Sequence, residues 1–216
     1  MEVQQVVITG GGGSLAAAIV HAMQTPRWSV AAPTRSELEV TNPESVNSYF
    51  KNQPIDFLIC TAGVIADTPL ARLSEESWDH IFAVNYQGAA NCAAATLPIM
   101  RRQHSGHVIF VASHSALHPP KGQAAYATAK AALIGLTTSL ARRCGRHNIR
   151  VNALLPGFLE TRMTAAVKES RKSRVLEDHA LGRLNEVAAV AKFIAFLHEH
   201  LPHTSGQVFQ LDSRPP

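Results

Sequence analysis

The chain has 216 residues, 46% hydrophobic and 17% charged, with 20 Lys and Arg against 16 Asp and Glu for a formal net charge of +4. That length suits one domain, which can bury roughly 70% of the surface its unfolded chain would expose. The composition excludes a polycation or a low-complexity chain, and no stretch approaches the ~20 unbroken apolar residues of a membrane span.

In chain order, Val6 to Thr9 is a short apolar run that stops at four glycines, Gly10 to Gly13, and reads as a buried strand ending in a tight turn. Leu15 to Met23 is Ala-rich and helix-forming, and Pro26 closes that unit. Ser29 to Ala32 predicts a second strand, ended by Pro33. Ser45 to Lys51 predicts a short helix opened by Asn42-Pro43. Phe57 to Cys60 is a third strand, stopping at Thr61-Ala62-Gly63. Ser74-Glu75-Glu76 opens a helical pattern that runs, with a break, to about Arg102. Val108 to Val111 is a strand, Ala124 to Arg143 a long helix, and Arg150 to Leu155 a strand ended by Pro156-Gly157. Glu186 to His200 is helical, and Gln207 to Leu211 is the last strand. Strands alternating with helices predict one doubly wound α/β domain over 1–216, a parallel sheet with helices on both faces.

Cys60, Cys92 and Cys144 sit in apolar surroundings, so a disulfide framework is not expected and a reducing compartment fits. The opening run lacks the basic and apolar regions of a secretory leader, and a cytoplasmic location is expected. The basic groups Arg101-Arg102, Arg142-Arg143 with Arg146, and Lys168 to Arg174 fit solvated helix faces. They also fit a surface that draws an anionic partner, such as a phosphorylated cofactor or an acidic carrier protein. No recognition motif accompanies them, so nucleic acid is not an expected partner. The histidines suggest no metal site: no cysteine or carboxylate completes a zinc pattern around His198, His200 and His203. His114 and His118 are expected to shape a pocket mouth.

A glycine turn between a first strand and a first helix is a dinucleotide site in outline. Glycine lets the backbone approach a pyrophosphate, and the helix N-terminus supplies N–H donors. The acid expected about 20 residues on, for a ribose 2′-hydroxyl, is absent. Pro33-Thr34-Arg35-Ser36 stands there instead, and a guanidinium among hydroxyls suits a 2′-phosphate. This favours NADP(H) over NAD(H).

The most informative stretch carries Ser113 at the end of a strand, Tyr126 thirteen residues later and Lys130 four after that. Positions four apart share one helix face. An ammonium beside a phenol is expected to lower the tyrosine pKa towards neutrality and make it a proton donor or acceptor. Ser113 would polarise a carbonyl or steady an alkoxide.

With these residues in place, the sequence resembles the short-chain dehydrogenase/reductase family over nearly its whole length. Thr9-Gly10, Ser14 and Ala16 stand where the family has T-G-x-x-x-G-x-G, and Cys60 to Gly63 where it has N-x-A-G. Asn85 matches the helix asparagine, and Ser113, Tyr126 and Lys130 match S…Y-x-x-x-K. Val151-Asn152, Pro156-Gly157 and Thr161 match V-N-x-x-x-P-G-x-x-x-T, and Gly206-Gln207 the closing segment. The resemblance implies Asn85, Ser113, Tyr126 and Lys130 as a catalytic tetrad: Tyr126 the general acid, Lys130 gripping the nicotinamide ribose, Ser113 orienting the carbonyl, Asn85 holding a relay water. It implies cofactor contacts from Gly10, Gly12, Gly13, Ser14 and Leu15, from Arg35, Glu39 and Val40, and from Ala62 and Gly63. It adds Tyr126 and Lys130 themselves, and Pro156, Gly157, Phe158 and Thr161.

Within the family the phrasing at Gly122 to Tyr126 and Phe158 to Thr164 is most similar to 3-oxoacyl-[acyl-carrier-protein] reductases. The implied function is ketoreduction of a 3-oxoacyl thioester on acyl carrier protein or CoA, in fatty acid biosynthesis, by a homodimer or homotetramer. A non-catalytic nucleotide sensor or scaffold is the alternative. Four departures bear on this. Ser14 and Ala16 replace two glycines. One helix after the second strand is missing. His104 and His147 stand where carrier-protein reductases have arginines, and Asp212 to Pro216 lacks the closing glycines. The segment near 161–182 is expected to form a mobile substrate lid.

Overall fold

The structure, a computed structural model, describes residues 3–215. Six strands form one sheet: β1 (Gln4–Thr9), β2 (Trp28–Ala31), β3 (Phe57–Cys60), β4 (Gly106–Val111), β5 (Ile149–Leu155) and β6 (Val208–Gln210). Their order is β2-β1-β3-β4-β5-β6, and every neighbouring pair is parallel. Side chains alternate across a strand, so one run supplies two cores. Val7, Leu58 and Val108 face helices α2 (Pro43–Phe50), α4 (Gly88–Gln103) and α5 (Ala124–Cys144) through Phe50, Met100 and Leu133. Val6, Ile8, Ile59 and Ile109 face α1 (Ser14–Ala22) and α7 (Val187–His200) through Ile19, Ile194 and Leu197. Burial on both faces explains why β3 and β4 read as unbroken apolar runs.

The expected doubly wound α/β architecture is therefore present, with its boundaries close to those the sequence suggests. The helical pattern after Ser74 divides into α3 (Glu75–Phe82) and α4, joined by a π-turn at Ala83–Gln87. Asn42 caps α2 by accepting from the Glu44 and Ser45 amides, with Pro43 in the first turn. A further helix, α6 (Glu169–Glu177), lies in the segment expected to be the lid.

The missing helix is confirmed: residues 32–42 form only turns, with Leu38 and Val40 buried against α4's side of the core. The loss extends further. In a 3-2-1-4-5-6 doubly wound sheet, another strand flanks the one corresponding to β2; here β2 is the sheet edge.

The chain leaves β1 in one direction to β2 and then crosses to β3 on the other side. That reversal opens a crevice at the carboxyl ends of β1 and β3, where open α/β sheets take ligands. The two strand ends are sewn together: Thr61 Oγ1 donates to the Thr9 carbonyl at 2.6 Å, and the Ala62 amide donates to Thr9 Oγ1 at 3.3 Å. The Gly11 amide donates to the Pro33 carbonyl at 2.9 Å, fixing the exit of β2 beside the glycine turn.

A methyl at Gly11 would lie 1.9 Å from the Ala32 carbonyl oxygen, which is backbone and cannot swing away. Gly11→Ala is expected to lower the unfolding free energy by about 1–3 kcal/mol. Gly12→Ala, whose added carbon meets nothing within 4 Å, should stay within about 0.5 kcal/mol of the parent. Urea unfolding of both variants checks this, and equal stabilities would contradict it.

Candidate active site

The glycine turn closes tightly enough to bring backbone to the crevice floor. Gly10 has φ +72°, and a Cβ there would lie 2.8 Å from Ala62 Cα. α1 begins after Gly13 with no side-chain cap and no acid in its first turn. Its leading N–H groups and positive dipole end therefore face the crevice unopposed. Gly13, Ser14, Leu15 and Ala16 line a cavity of about 1170 Å³ that continues past Gly63 to Ser113, Tyr126 and Lys130.

Parallel pairing puts the end of β4 beside that crevice, and α5 returns over it. Ser113 follows β4 and accepts from the Ser115 amide at 3.2 Å. Tyr126 and Lys130, on the first turns of α5, share the buried face and line the same cavity as Ser113 and Asn85. Lys130 Nζ donates to the Val111 carbonyl at 2.8 Å and lies 5.8 Å from the Tyr126 ring centre. Only 4% of Lys130 is exposed, and burial pulls its ammonium down to about 8, against a smaller opposite pull from the Cys60 thiol.

The phenol behaves differently from the expectation. Burial pushes the Tyr126 pKa up, the Ser113 hydroxyl bonded to it pulls it down, and the Asp67 charge pushes it up again. Lys130, whose ammonium donates to the Val111 carbonyl, does not bring it towards neutrality here. The site therefore holds Tyr126 protonated, as a donor.

Asn85 sits on the π-turn, fully buried. Its Nδ2 donates to the Val64 and Ile81 carbonyls, both at 2.8 Å, and its Oδ1 accepts from the Val64 amide at 3.3 Å. Both amide protons are thus used in holding the loop after β3 against the α3–α4 junction. A Cβ on Gly63 would lie 2.8 Å from Asn85 Oδ1 and 3.7 Å from Lys130 Nζ, so this glycine keeps the loop close to both.

Pro156, Gly157, Phe158 and Thr161 all line the cavity opposite α1. Gly10, Gly12 and Ala62, also expected as cofactor contacts, do not line it. Arg35, Glu39 and Val40 lie outside it. Arg35 Nε donates to Glu39 Oε2 at 2.5 Å, and Val40 is buried against Gly88 with its carbonyl taken by Asn91. Among the described residues no group of three or more His, Cys, Asp or Glu could hold a metal ion.

Four contributors escaped the sequence reading. Gly11 is the tightest point of the turn. Arg162 reaches across the crevice and donates to the Gly12 carbonyl. Asp67 accepts from Gln123 Nε2 at 2.8 Å and pairs with Arg171 of α6, tying the 161–182 segment to the loop after β3. Arg214 lines the cavity from the segment after β6. Gly11 is marked in the sequence only as one of four glycines, whereas Arg162, Asp67 and Arg214 are single residues on irregular segments with no periodicity to mark them.

The family described as enoyl-(acyl carrier protein) reductase matches residues 5–213. A relative from Thermotoga maritima, named 3-oxoacyl-[acyl-carrier-protein] reductase FabG, is 37% identical over 73% of this chain and 65% of its own length. Relatives of the same name from Aquifex aeolicus and Chlamydia trachomatis are 32% and 31% identical over 96% and 95% of this chain, and over 85% and 83% of theirs. The crystal structure of gox2181 superposes with a TM-score of 0.91 over 99% of this chain and 95% of its own, at 24% identity, a likeness of fold.

Because the folded pKa of Lys130 lies below that of a free lysine, the unfolded chain binds more protons between about pH 8 and 10.5. This group therefore stabilises the fold progressively as pH rises through that window. Nuclear magnetic resonance titration of its ¹³Cε-labelled side chain should give a midpoint near 8. A midpoint at the value of a solvated lysine would contradict the buried placement.

Proposed function

The chain belongs to the short-chain dehydrogenase/reductase family, and from that membership we propose that it reduces a carbonyl to an alcohol with NADPH, its substrate a 3-oxoacyl thioester or related ketone. The observation that carries the reading is the meeting of Ser113, Tyr126 and Lys130 on one cavity that also contains the uncapped start of α1. Two hydroxyls side by side suit a carbonyl oxygen, which accepts two hydrogen bonds.

The chain's residues fit a dinucleotide. Gly10 and Gly11 clear the backbone that a pyrophosphate would approach, and the α1 amides are free to receive it. Arg162, already on the Gly12 carbonyl, would supply a cation there and offset the loss of glycine at Ser14 and Ala16. Lys130 would grip the nicotinamide ribose, and Pro156, Gly157, Phe158 and Thr161 would border the nicotinamide. A bound dihydronicotinamide supplies the hydride. Tyr126, held protonated by burial, gives its proton to the developing alkoxide, and Ser113 orients and polarises the carbonyl. Asn85 fixes the π-turn, whose displaced carbonyls would hold the water that reprotonates the site.

NADPH is preferred over NADH because Arg35 follows β2 next to the glycine turn, with Thr34 and Ser36 hydroxyls beside it. The Glu39 carboxylate now on Arg35 would yield to a 2′-phosphate, and Glu39 and Val40 would border the adenine. Residues 161–182, with α6, would act as the substrate lid over a single domain of 1–216, pinned by the Arg171–Asp67 pair.

The relatives' names support an acyl-carrier or CoA thioester. His104 and His147 lie together, ring centres 6.0 Å apart, but just before β4 and β5. That is the end of the sheet opposite the cavity, about 20 Å away along a six-residue strand. A carrier docked there would have to extend its prosthetic arm fully to reach its own protomer's cavity, and a homodimer or homotetramer that brings another protomer's cavity nearer would ease delivery. No helix among the described residues is long and apolar enough to cross a membrane.

Two variants test the reading with acetoacetyl-CoA. Tyr126→Phe should lose about 10²–10⁴-fold in kcat/KM while still quenching NADPH fluorescence on binding. Nucleotide binding with no tyrosine-dependent turnover on any ketone would leave a sensor instead. Arg35→Ala should raise KM for NADPH about 10-fold or more, the loss of a hydrogen bond to a charged group, and leave KM for NADH near the parent value. Equal changes for the two cofactors would remove Arg35 from 2′-phosphate recognition.

A further inference from the structure

The segment that follows β6 contributes Arg214 to the cavity wall, close enough to the residue after Ser113, His114, for its charge to act there. Arg214 lines the cavity, with 11% of its side chain exposed. Its Nε donates to Asp212 Oδ2 at 2.6 Å, and its Nη2 pairs with the same oxygen. Asp212 is fully buried and packs on Gly157, where a Cβ would come within 2.6 Å of Asp212 Cβ. Gln210 Nε2 donates to Asp212 Oδ1 at 2.9 Å and to the Arg214 carbonyl at 2.8 Å. Ser213 accepts the Ala180 amide through its carbonyl at 3.0 Å and the Leu181 amide through its hydroxyl at 3.2 Å, joining this segment to the 161–182 wall. The guanidinium is therefore held along one edge, and among the described residues its Nη1 has no partner.

The surroundings favour an anion at that free edge. Five Lys and Arg (Lys130, Arg162, Lys168, Arg171 and Arg214) but two Asp (Asp67 and Asp178) line the cavity. With Asp67 paired to Arg171 and Asp212 to Arg214, Lys130, Arg162 and Lys168 remain against Asp178. His114, next to Ser113, is driven down to about 4 by burial first and by the Arg214 charge second, so the guanidinium acts on the residue beside the carbonyl-binding serine. His118 stacks on His114 with ring centres 4.6 Å apart. Buried His179, which does not line the cavity, lies 3.7 Å from Asp212.

We propose that Arg214 is a specificity residue that receives a carboxylate carried by the carbonyl substrate, so that oxo acids are preferred over their neutral esters. A planar guanidinium pinned by one carboxylate offers its remaining N–H groups in a fixed direction, which suits a second carboxylate. The inference rests on the reading of this cavity as a carbonyl-reducing site, and of the two substrate classes named there it selects a ketone that bears a free carboxylate over the thioester, which bears none at that position.

The test measures NADPH oxidation with acetoacetate and with methyl acetoacetate, for the parent, Arg214→Gln and Arg214→Lys. The parent should favour the acid. Arg214→Gln should lower the acid-to-ester ratio of kcat/KM about 10–100-fold, mainly through KM for the acid. Arg214→Lys, which keeps the charge, should recover part of it. Carboxylate capture is read independently of turnover, as the rise in Tm that succinate gives with NADPH present; it should be seen in the parent and lost in Arg214→Gln. An unchanged ratio, or equal losses for acid and ester in both variants, would overturn the proposal and leave ketone reduction standing. A parent that reduces neither compound but shows the succinate shift would keep the carboxylate site and remove the reductase reading. Absence of the succinate shift in the parent would sink the carboxylate site.

Discussion

One buried charge organises this cavity. The Lys130 ammonium is almost wholly removed from water and, among the described residues, rests on one hydrogen-bond partner, the carbonyl of Val111 at the end of β4. A buried ammonium with so few partners is costly, and it is tolerated where other groups stand ready to share it. Those groups are in place: the Tyr126 ring on the same helix face, the Gly63 loop, and the open cavity in front. The β4–α5 connection exists to bring strand end and helix face together, since the carbonyl and the ammonium lie 19 residues apart in the chain. Asn85 completes the arrangement by holding the loop after β3 through two hydrogen bonds to Val64 and anchoring itself to α3 through a third, to the Ile81 carbonyl.

The dinucleotide side is assembled by a different principle, close backbone approach. Gly10 and Gly11 touch the ends of β3 and β2, and any side chain there would strike main-chain atoms. Gly12 and Gly13 are less crowded. Ser14 and Ala16 lie inside α1, and Ala16 packs buried against the sheet. The bridge from Arg162 to Gly12 then joins the two walls of the crevice across 150 residues.

Much of this was legible in the sequence, because burial on both sheet faces and helical spacing leave periodic traces. β3 matches its apolar run, and Tyr126 and Lys130 share a face because four residues make about one turn. Other features left no such trace. The absent edge strand is a deletion, visible only against the complete sheet order. The raised Tyr126 pKa depends on what surrounds the phenol in three dimensions, whereas the sequence shows only that a lysine is nearby. Arg162 and Asp67 act through contacts 56 to 150 residues long, and Arg214 through its placement on an irregular segment. Arg35 shows the converse. Its residue type suggests a phosphate, while its present partner is a carboxylate four residues away.

The most direct measurement follows a labelled hydrogen. NADPH carrying deuterium on one face of nicotinamide C4 is incubated with the protein and acetoacetyl-CoA, and the product is examined by mass spectrometry. The account predicts one deuterium on the new carbinol carbon from one C4 face only, with none delivered by Lys130→Met. An unlabelled product, or label that arrives equally with Lys130→Met, would contradict a reductive site built around the buried ammonium.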